Sequence, residues 1–153
     1  MVRKKPNRPA TIQNRRARHD YELGDSLVAG LELTGAEVKA LRLGHGHLRG
    51  AYVTVKDGQL YLINATISGT AGIAISEPDL TRARRLLAKQ REIAALVAAK
   101  QQGQTIVPLE ILTRGRYIKL RLAIGRGKKR YDKRQTIKKR EEDRRLRAAV
   151  KRP

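Results

Sequence analysis

The clearest evidence of fold class is the stretch Thr105-Ile-Val-Pro-Leu-Glu-Ile-Leu112, which Arg116-Tyr-Ile-Lys-Leu-Arg-Leu-Ala-Ile124 follows after a short gap. In the second run, apolar residues at positions 118, 120, 122 and 124 alternate with polar ones, among them Lys119 and Arg121. Because successive side chains of a strand point to opposite faces, this alternation predicts a strand with one buried face and one basic face. Arg114-Gly115 lies between the two runs, so we expect them to form a β-hairpin.

A second hairpin is predicted nearer the N-terminus, where Tyr52–Lys56 and Gln59–Ile63 flank Asp57-Gly58. An Asp-Gly pair favours a two-residue type I′ turn, because both of its positions need a positive φ. Several short strands with interspersed helices predict a mainly β domain that closes into a small barrel, and the oligonucleotide-binding barrel is a common nucleic-acid scaffold of this kind. The number of strands alone does not establish which barrel it is. Further strands are expected at Leu27–Leu33 and Asn64–Ile67, and a loop at 68–76.

Two stretches have the pattern of peripheral helices. Thr34 and Glu37 have the spacing of a capping box, so a helix is expected from there to about Leu43, with Gly44 as its C-cap. The second stretch begins after Ser76 or Asp79 and ends at Gly103, and one helix or two with a bend fit it equally well. Its apolar residues at helical spacing are Leu80, Ala83, Leu86, Leu87, Ala94 and Val97.

The charge of the chain is large and unevenly spread. The net charge is +21, of which residues 1–19 contribute +7, residues 20–125 only +4 and residues 126–153 a further +10. A surplus of this size predicts a polyanionic partner. We therefore expect a flexible basic arm at 1–13, an RNA-binding β-barrel domain at 14–125 and a basic tail at 126–153. The tail has too few apolar residues to dock on a barrel, so we expect it to be disordered alone and helical on a polyanion.

Composition also narrows the class of partner and the compartment. The chain has no cysteine, which favours a reducing, cytoplasmic environment, and no apolar run approaches the length of a membrane span. A helix that lies on a membrane surface usually has bulky apolar anchors, whereas Ile137, Leu146 and Val150 are the only large aliphatic residues of the tail. RNA is therefore favoured over lipid, and no membrane partner is expected.

The sequence contains no catalytic signature, so we do not expect an enzyme. His45 and His47 have a spacing that metals can use, but no obvious further ligand is near them, and we predict neither a metal site nor a cofactor. The residues best suited to RNA lie elsewhere, since Arg and Lys bind phosphates while Asn and His bond base edges or 2′-hydroxyl groups. These candidates are Asn14, Arg16, Arg18 and His19 near the N-terminus, Lys39 and Arg42 on the first helix, and Lys119 on the strand.

Four ordered blocks of the sequence resemble one known family, the bacterial tmRNA-binding proteins (small protein B, or SsrA-binding proteins). The resemblance covers about residues 3 to 150, and the four blocks together are specific although each is weak alone. They are Asn14-Arg-Arg-Ala-Arg-His-Asp-Tyr21, Gly35-Ala-Glu-Val-Lys-Ala-Leu-Arg42, Arg82-Ala-Arg-Arg-Leu-Leu87 and Gly127-Lys-Lys-Arg-Tyr-Asp-Lys-Arg134.

The resemblance implies an oligonucleotide-binding-like barrel that binds the tRNA-like domain of tmRNA and delivers alanyl-tmRNA, with elongation factor Tu, to stalled ribosomes. It implies that the tail enters the empty mRNA path near the decoding centre and becomes helical there, and we expect the protein to act as a monomer. Carried over by position, the tmRNA-binding surface includes Asn14, Arg18, His19, Arg84, Leu87 and Lys119. The positions that the resemblance assigns to the ribosomal decoding region are Tyr131, Asp132, Lys133, Arg134, Ile137 and Lys138.

The chain departs from the family pattern at three places, and two other functions stay open. Val28 stands where the family usually has an acidic residue, Asp79-Leu80 stands where it usually has Asp-Pro, and the loop at 68–78 lacks the usual Pro- and Asn-containing pattern. One alternative is a ribosomal or ribosome-assembly protein with a basic extension. The other is an RNA-modifying enzyme in which His19, His45 or His47 acts as an acid or base.

Overall fold

In the computed structural model, which describes residues 11–128 and 130–150, seven strands form one antiparallel sheet in the order β1-β8-β9-β2-β7-β5-β4. A separate pair, β3 and β6, lies beside it. The strands are β1 Thr11–Gln13, β2 Tyr21–Leu31, β3 Gly46–His47, β4 Tyr52–Lys56, β5 Gln59–Ile63, β6 Thr66–Ile67, β7 Arg84–Leu87, β8 Thr105–Leu112 and β9 Lys119–Gly127. The helices are α1 Ala17–Asp20, α2 Gly35–Arg42, α3 Gln90–Gln101 and α4 Arg130–Val150, with a 3-10 turn at Glu77–Asp79.

Both predicted hairpins are confirmed. β8 and β9 pair with Leu112 opposite Lys119, and Ile118, Leu120 and Leu122 are buried while the residues between them are exposed. β4 and β5 pair around a turn in which Asp57 and Gly58 have φ values of 52° and 74°. Both φ values are positive, as a type I′ turn requires.

The prediction of a closed barrel is wrong, because the sheet is open. No hydrogen-bonded ladder joins the edge strands β1 and β4 in the part of the chain that the structure describes. β4 nevertheless lies close to β8, so the sheet is curled over its core, while β3 contacts β1 and α3 contacts β8. Kinship with the oligonucleotide-binding barrel stays a prediction.

The predicted helix after residue 80 is wrong in its first half. Arg84–Leu87 is a strand, β7, which pairs Leu86 with Leu31 of β2 and with Leu60 of β5. Its side chains alternate between buried and exposed, so the apolar spacing that suggested a helix arises from the junction of a strand and a helix. The helix begins only at Gln90, as a single element that buries Ile93, Leu96 and Ala99.

The first predicted helix is confirmed together with its capping box. The Thr34 amide donates to Glu37 Oε1 at 2.9 Å, and the Glu37 amide donates to the Thr34 hydroxyl at 3.3 Å. Gly44 follows the helix with a φ of 86°, in the left-handed region that glycine adopts readily. α2 buries Ala40 and Leu41, which belong to the same core cluster as the buried residues of β5, β7 and β9.

The predicted domain limits shift at both ends. Thr11–Gln13 forms β1 and pairs with β8, so the prediction of a flexible arm is wrong for these three residues, whereas residues 1–10 lie outside the described part of the chain. β9 continues to Gly127, opposite Tyr21, two residues beyond the predicted boundary. β2 begins at Tyr21, six positions before the predicted strand, and has an irregularity between Leu23 and Ser26.

Candidate nucleic-acid interface

The outer face of the sheet places an apolar residue and a cation on either side of a glycine. Gly30 of β2 lies opposite Leu87 of β7 on one side and opposite Lys119 of β9 on the other. Residues directly opposite one another in an antiparallel pair point to the same face. Leu87 is 50 % exposed although it is a leucine. The two residues that the family resemblance assigned to RNA binding therefore share one exposed face.

Gly30 makes this face recessed between its neighbours. A Cβ at position 30 would lie 3.4 Å from Leu87 Cβ, so any side chain there would fill the space between the flanking strands. Val28, two residues earlier on the same face, is also exposed and lies opposite Arg121. A recess with apolar walls and cations beside it suits a nucleobase or sugar whose phosphates reach the cations.

Two cations near the recess, Arg121 and Arg85, are paired with neighbouring side chains. Arg121 Nη1 is bonded to Glu110 Oε1 on β8. Arg85 of β7 donates to Gln59 Oε1 at 3.1 Å and lies 3.9 Å from a Glu32 carboxylate oxygen. These are exposed pairs, which contribute little to stability and which a phosphate can replace.

The segment Asn14–Asp20, at the other end of β2, is anchored to β8. The Asn14 amide group donates to the Pro108 carbonyl at 2.8 Å, and the Asn14 backbone N–H donates to Leu109 O at 2.7 Å. Ala17 is buried beneath this anchor. Asn14 is therefore engaged in holding the segment, with its amide nitrogen turned toward the protein.

The predicted cations of that segment are presented outward. Arg16 and Arg18 are exposed, and the half-buried His19 has its Nδ1 at 3.0 Å from Asp20 Oδ1. The Lys128 ammonium donates to the Arg18 carbonyl at 2.9 Å, so the start of the tail is tied to this segment. The structure thereby brings the N-terminal candidates next to the point where α4 begins, at a distance along β2 from the recess beside Gly30.

The two candidates on α2 have different roles. Lys39 is exposed and open to solvent. The Arg42 guanidinium instead donates to three carbonyl oxygens of the β8–β9 turn, those of Thr113, Gly115 and Arg116, at 3.2, 3.0 and 3.2 Å. The prediction of Arg42 as an RNA contact is not supported by this geometry, because its guanidinium is bound to the turn.

The structure corrects the prediction that was made for Arg84. It was expected on the RNA-binding surface, but its side chain is 0 % exposed. Its Nε donates to Glu37 Oε2 at 2.7 Å, and its two terminal nitrogens donate to four backbone carbonyls, those of Ala65, Asp79, Leu80 and Arg82. A guanidinium has five N–H donors, so this side chain is saturated inside the protein. Arg84 links α2, β7 and the segments around residues 65 and 80, and it does not reach the surface.

The buried carboxylate of this cluster is held in its ionised form. Burial alone would raise the pKa of Glu37, but hydrogen bonds from Arg82, the Thr34 amide and Arg84 outweigh it and leave that pKa below its usual value. Burial also lowers the pKa of Arg84, and Glu37 opposes that change. The cluster is thus a buried ion pair with every partner satisfied, which is a structural arrangement and not a catalytic one.

The tail forms the helix α4. Arg134, Ile137 and Lys138 lie on it with exposed side chains, and so does every residue from 137 to 147. Tyr131, Asp132 and Lys133 belong to its first turns, but their side chains lie outside what the structure describes. The structure thus shows a helix over the tail, whereas its disorder in isolation and its folding on a polyanion stay predictions.

Sequence reasoning did not select Tyr117 and Arg116 in the β8–β9 turn as site residues. The Tyr117 ring is 67 % exposed, and the Arg116 guanidinium carbon lies 5.6 Å from its centroid. Because side chains alternate along a strand, the sequence indicated only that Tyr117 lies on an outer face. It contains no signal for the hydrogen bonds from Arg42 that hold the turn. Residues 11–128 and 130–150 also contain no group of three potential metal ligands and no helix long and apolar enough to cross a membrane.

A curled antiparallel sheet with an exposed basic and apolar face, extended by a cationic helix, is the architecture of an RNA-binding protein. The family model described as SmpB protein matches residues 11–152. The chain belongs to this family.

Known relatives span nearly the same length. The SsrA-binding protein of Lactobacillus delbrueckii subsp. bulgaricus is 43 % identical over 148 residues, which cover 96 % of this chain and 97 % of that protein. The SsrA-binding protein of Bordetella parapertussis is 48 % identical over 130 residues, covering 83 % of each chain. A solved structure described as "tmRNA-SmpB: a journey to the center of the bacterial ribosome" is similar with a TM-score of 0.66 and 38 % identity, over 84 % of this chain and 95 % of that one.

Proposed function

We propose that the chain is an RNA-binding adaptor of trans-translation, which binds the tRNA-like domain of tmRNA and brings it to stalled ribosomes. The observation that supports this most strongly is that Leu87 and Lys119 lie on one exposed face around Gly30, in a chain of the SmpB family. A rigid sheet that offers a leucine, a lysine and a recess between them can hold a folded RNA loop in one orientation. No bond needs to be made or broken in this role, so the proposed function is binding and not catalysis.

The remaining exposed candidates are proposed to add RNA contacts outside the recess beside Gly30. Lys39 and the cations Arg16 and Arg18 are available for phosphates, and His19 for a base or a 2′-hydroxyl group. Asn14 contributes by fixing the segment that carries them. Arg84 and Arg42 are left out of the proposed contact surface because their guanidinium groups are bound inside the protein or to the turn.

The tail is proposed to read whether the mRNA path of the ribosome is empty. Residues 126–153 have a net charge of +10, which opposes compaction in water and is neutralised by ribosomal RNA. Pairs such as Glu141–Arg145 and Asp143–Arg147, four residues apart, favour a helix once the repulsion is removed. An mRNA in the same path would exclude the tail. Tyr131, Asp132, Lys133, Arg134, Ile137 and Lys138 are the proposed contacts in the decoding region.

The proposed role in trans-translation also implies a delivery partner, an oligomeric state and a compartment. Delivery of alanyl-tmRNA would involve elongation factor Tu as a partner. The adaptor is proposed to act as a cytoplasmic monomer, in which the oligonucleotide-binding-like core grips tmRNA while the tail, disordered alone, folds on the ribosome.

A truncation separates the two halves of the proposal. The cut is placed after Lys128, because β9 runs to Gly127 and the Lys128 side chain still contacts Arg18. We expect the truncated protein to bind the tRNA-like domain within about twofold of the full chain, while peptide tagging on stalled ribosomes is lost.

The control is a full-length chain with Glu142→Gln, which keeps every cation of the tail and the Glu141–Arg145 pair, and we expect it to support tagging as the wild type does. If the truncated protein supported tagging as the full chain does, the proposed role of the tail would be wrong. If the full chain did not bind the tRNA-like domain more tightly than an unrelated hairpin RNA of equal length, the whole proposal would fail.

A further inference from the structure

The turn between β8 and β9 presents an aromatic ring to solvent. Ile118 is buried, with 4 % of its surface exposed, so Tyr117 and Lys119 on either side of it are directed outward. Tyr117 is 67 % exposed, more than any other large apolar or aromatic side chain in the described residues. An exposed tyrosine ring without a packing role in its own domain is typical of a surface that binds something flat and apolar.

The turn is also held in one conformation by a residue far away in sequence. The three bonds from Arg42 reach the carbonyls of Thr113, Gly115 and Arg116, and Gly115 has a φ of 95°. On the other side, the Leu31 backbone N–H donates to the Ile118 carbonyl at 3.3 Å. A loop fixed in this way loses little conformational freedom when it binds a ligand, which favours affinity.

The charge around the ring selects the class of ligand. Arg114 and Arg116 precede Tyr117 in the turn, Lys119 follows it, and the Arg116 guanidinium lies over the ring at 5.6 Å from the centroid. A planar cation and an aromatic ring together form the stacking platform that RNA-binding proteins use for unpaired bases. An acidic protein could be attracted by the same charge, but it would offer no planar partner for the ring.

We infer that Tyr117 and Arg116 stack on an unpaired base of the bound RNA, and that Arg42 is the positioning residue that holds them in place. This inference rests on the proposed function and adds to it a base-stacking contact beside the Gly30 recess. Lys119 connects the two parts, because it lines the recess and lies two residues from the ring. The phosphate next to the stacked base can then reach Arg114 or Lys119.

The first test compares three substitutions of the ring by their affinity for the tRNA-like domain of tmRNA. Tyr117→Phe keeps the ring and is expected to bind within about twofold of wild type, whereas Tyr117→Leu and Tyr117→Ala should bind about 5- to 150-fold more weakly. Tyr52→Leu is the matched control, since Tyr52 is also exposed but lies near Thr105, at the opposite end of β8. Equal binding by the Phe and Leu variants would overturn the stacking contact.

The second test reports on stacking directly. The chain has no tryptophan, so Tyr117→Trp supplies a single tryptophan, whose emission can be excited selectively beside the remaining tyrosines. We expect that emission to be quenched when the tRNA-like domain or a single-stranded RNA of about 12 nucleotides is added, because a nucleobase stacked on the indole quenches it. No quenching with either RNA would refute the inference, even if wild type binds both. Quenching by the single-stranded RNA alone would uphold the inference and contradict the proposed choice of tmRNA.

The role of Arg42 is tested by a double-mutant cycle. If Arg42 acts through the turn, Arg42→Gln weakens binding in the wild-type background and has little further effect when Tyr117 is already Ala. Arg42→Lys should fail to restore affinity, since an ammonium cannot replace a planar fork that spans three carbonyls. Independent, multiplying effects of Arg42→Gln and Tyr117→Ala would show that Arg42 contacts the RNA itself and would overturn its assignment as a positioning residue.

Discussion

Arg84 and Arg85 are neighbours in sequence and are expected to behave in opposite ways when each is changed to Gln. Arg84 is 0 % exposed and all of its donors are bonded inside the protein, whereas Arg85 is 46 % exposed on the outer face of β7. We predict that Arg84→Gln lowers the free energy of unfolding severely and that Arg85→Gln leaves it almost unchanged. The pair is a matched control, because residue type, strand and substitution are the same.

The magnitude for Arg84→Gln can be worked from its contacts in two ways. Removing one partner of a buried, hydrogen-bonded ion pair costs about 3–5 kcal/mol, since it leaves an uncompensated charge, here that of Glu37. Counting bonds instead, four backbone carbonyls lose a donor at about 1 kcal/mol each. The two routes agree on about 4 kcal/mol, a large share of the roughly 5–15 kcal/mol that stabilises a domain.

The assay is urea unfolding followed by circular dichroism. With a slope of about 2 kcal/mol per molar urea, the midpoint of Arg84→Gln should fall by about 2 M, and that of Arg85→Gln by no more than about 0.3 M. If Arg84→Gln is too unstable to purify, Arg84→Lys keeps the cation but supplies three donors in place of five. We expect that variant to lose about half as much stability.

Two results would refute the reasoning. Equal midpoints for Arg84→Gln and Arg85→Gln would show that the buried cluster does not stabilise the fold. A folded Arg84→Lys protein with weakened RNA binding but unchanged stability would show that residue 84 contacts RNA, as the sequence first suggested. The expected RNA effect belongs instead to Arg85→Gln, whose loss of affinity should shrink as salt is raised, because an exposed cation acts mainly on phosphates.

Two further predictions concern Glu37 and Lys119. The pKa of Glu37 is lowered in the folded chain, so its contribution to stability is complete above its unfolded value near 4.5 and is lost as pH falls through the lower folded value. The difference in unfolding free energy between wild type and Glu37→Gln should therefore narrow between pH 7 and roughly pH 3, and a constant difference would contradict the assignment. Lys119→Gln should weaken binding of the tRNA-like domain and reduce the slope of log K against log salt by about 1, while an unchanged slope would exclude a phosphate contact at Lys119.

The parts of the fold that sequence predicted are those fixed by local chemistry. The capping box requires two residues three apart, and the Asp57-Gly58 turn requires two residues that tolerate a positive φ. The β8–β9 hairpin is visible because its period of two is maintained over a whole strand. In each of these cases the determining residues are neighbours in the chain.

Sequence reasoning failed where a distant partner decides the structure. Leu86 and Leu87 fit a helical period, but Leu86 is buried between β2 and β5 and Leu87 is exposed opposite Gly30. Arg84 could not be recognised as buried, because its partner Glu37 is 47 positions away. The predicted closure of the sheet was likewise wrong, since closure depends on the order and curvature of strands and not on their number.

The candidate site was predicted only in part, because some of its features also depend on distant partners. Lys119 was singled out by alternation, but Leu87 was assigned through family resemblance alone, since an exposed leucine has no signature of its own. The turn that carries Tyr117 was predicted as part of a hairpin but not as part of the site, because its order depends on Arg42, more than 70 positions earlier. Basic residues were thus easy to find from the sequence. Which of them are bonded inside the protein and which are exposed could be seen only from the packing of the folded chain.

The geometry of α4 bears on the kind of surface that the tail can bind. Ile137 and Leu146 are both exposed and stand nine positions apart, which at about 100° per residue places them on opposite sides of the helix. A helix that docks on a flat surface needs its apolar residues in one stripe, so this helix cannot bury both of them on such a surface. A path that surrounds the helix can cover both at once and neutralise the cations distributed around it. The placement of these two residues thereby favours an enclosing, RNA-lined channel over an open patch as the partner of the tail.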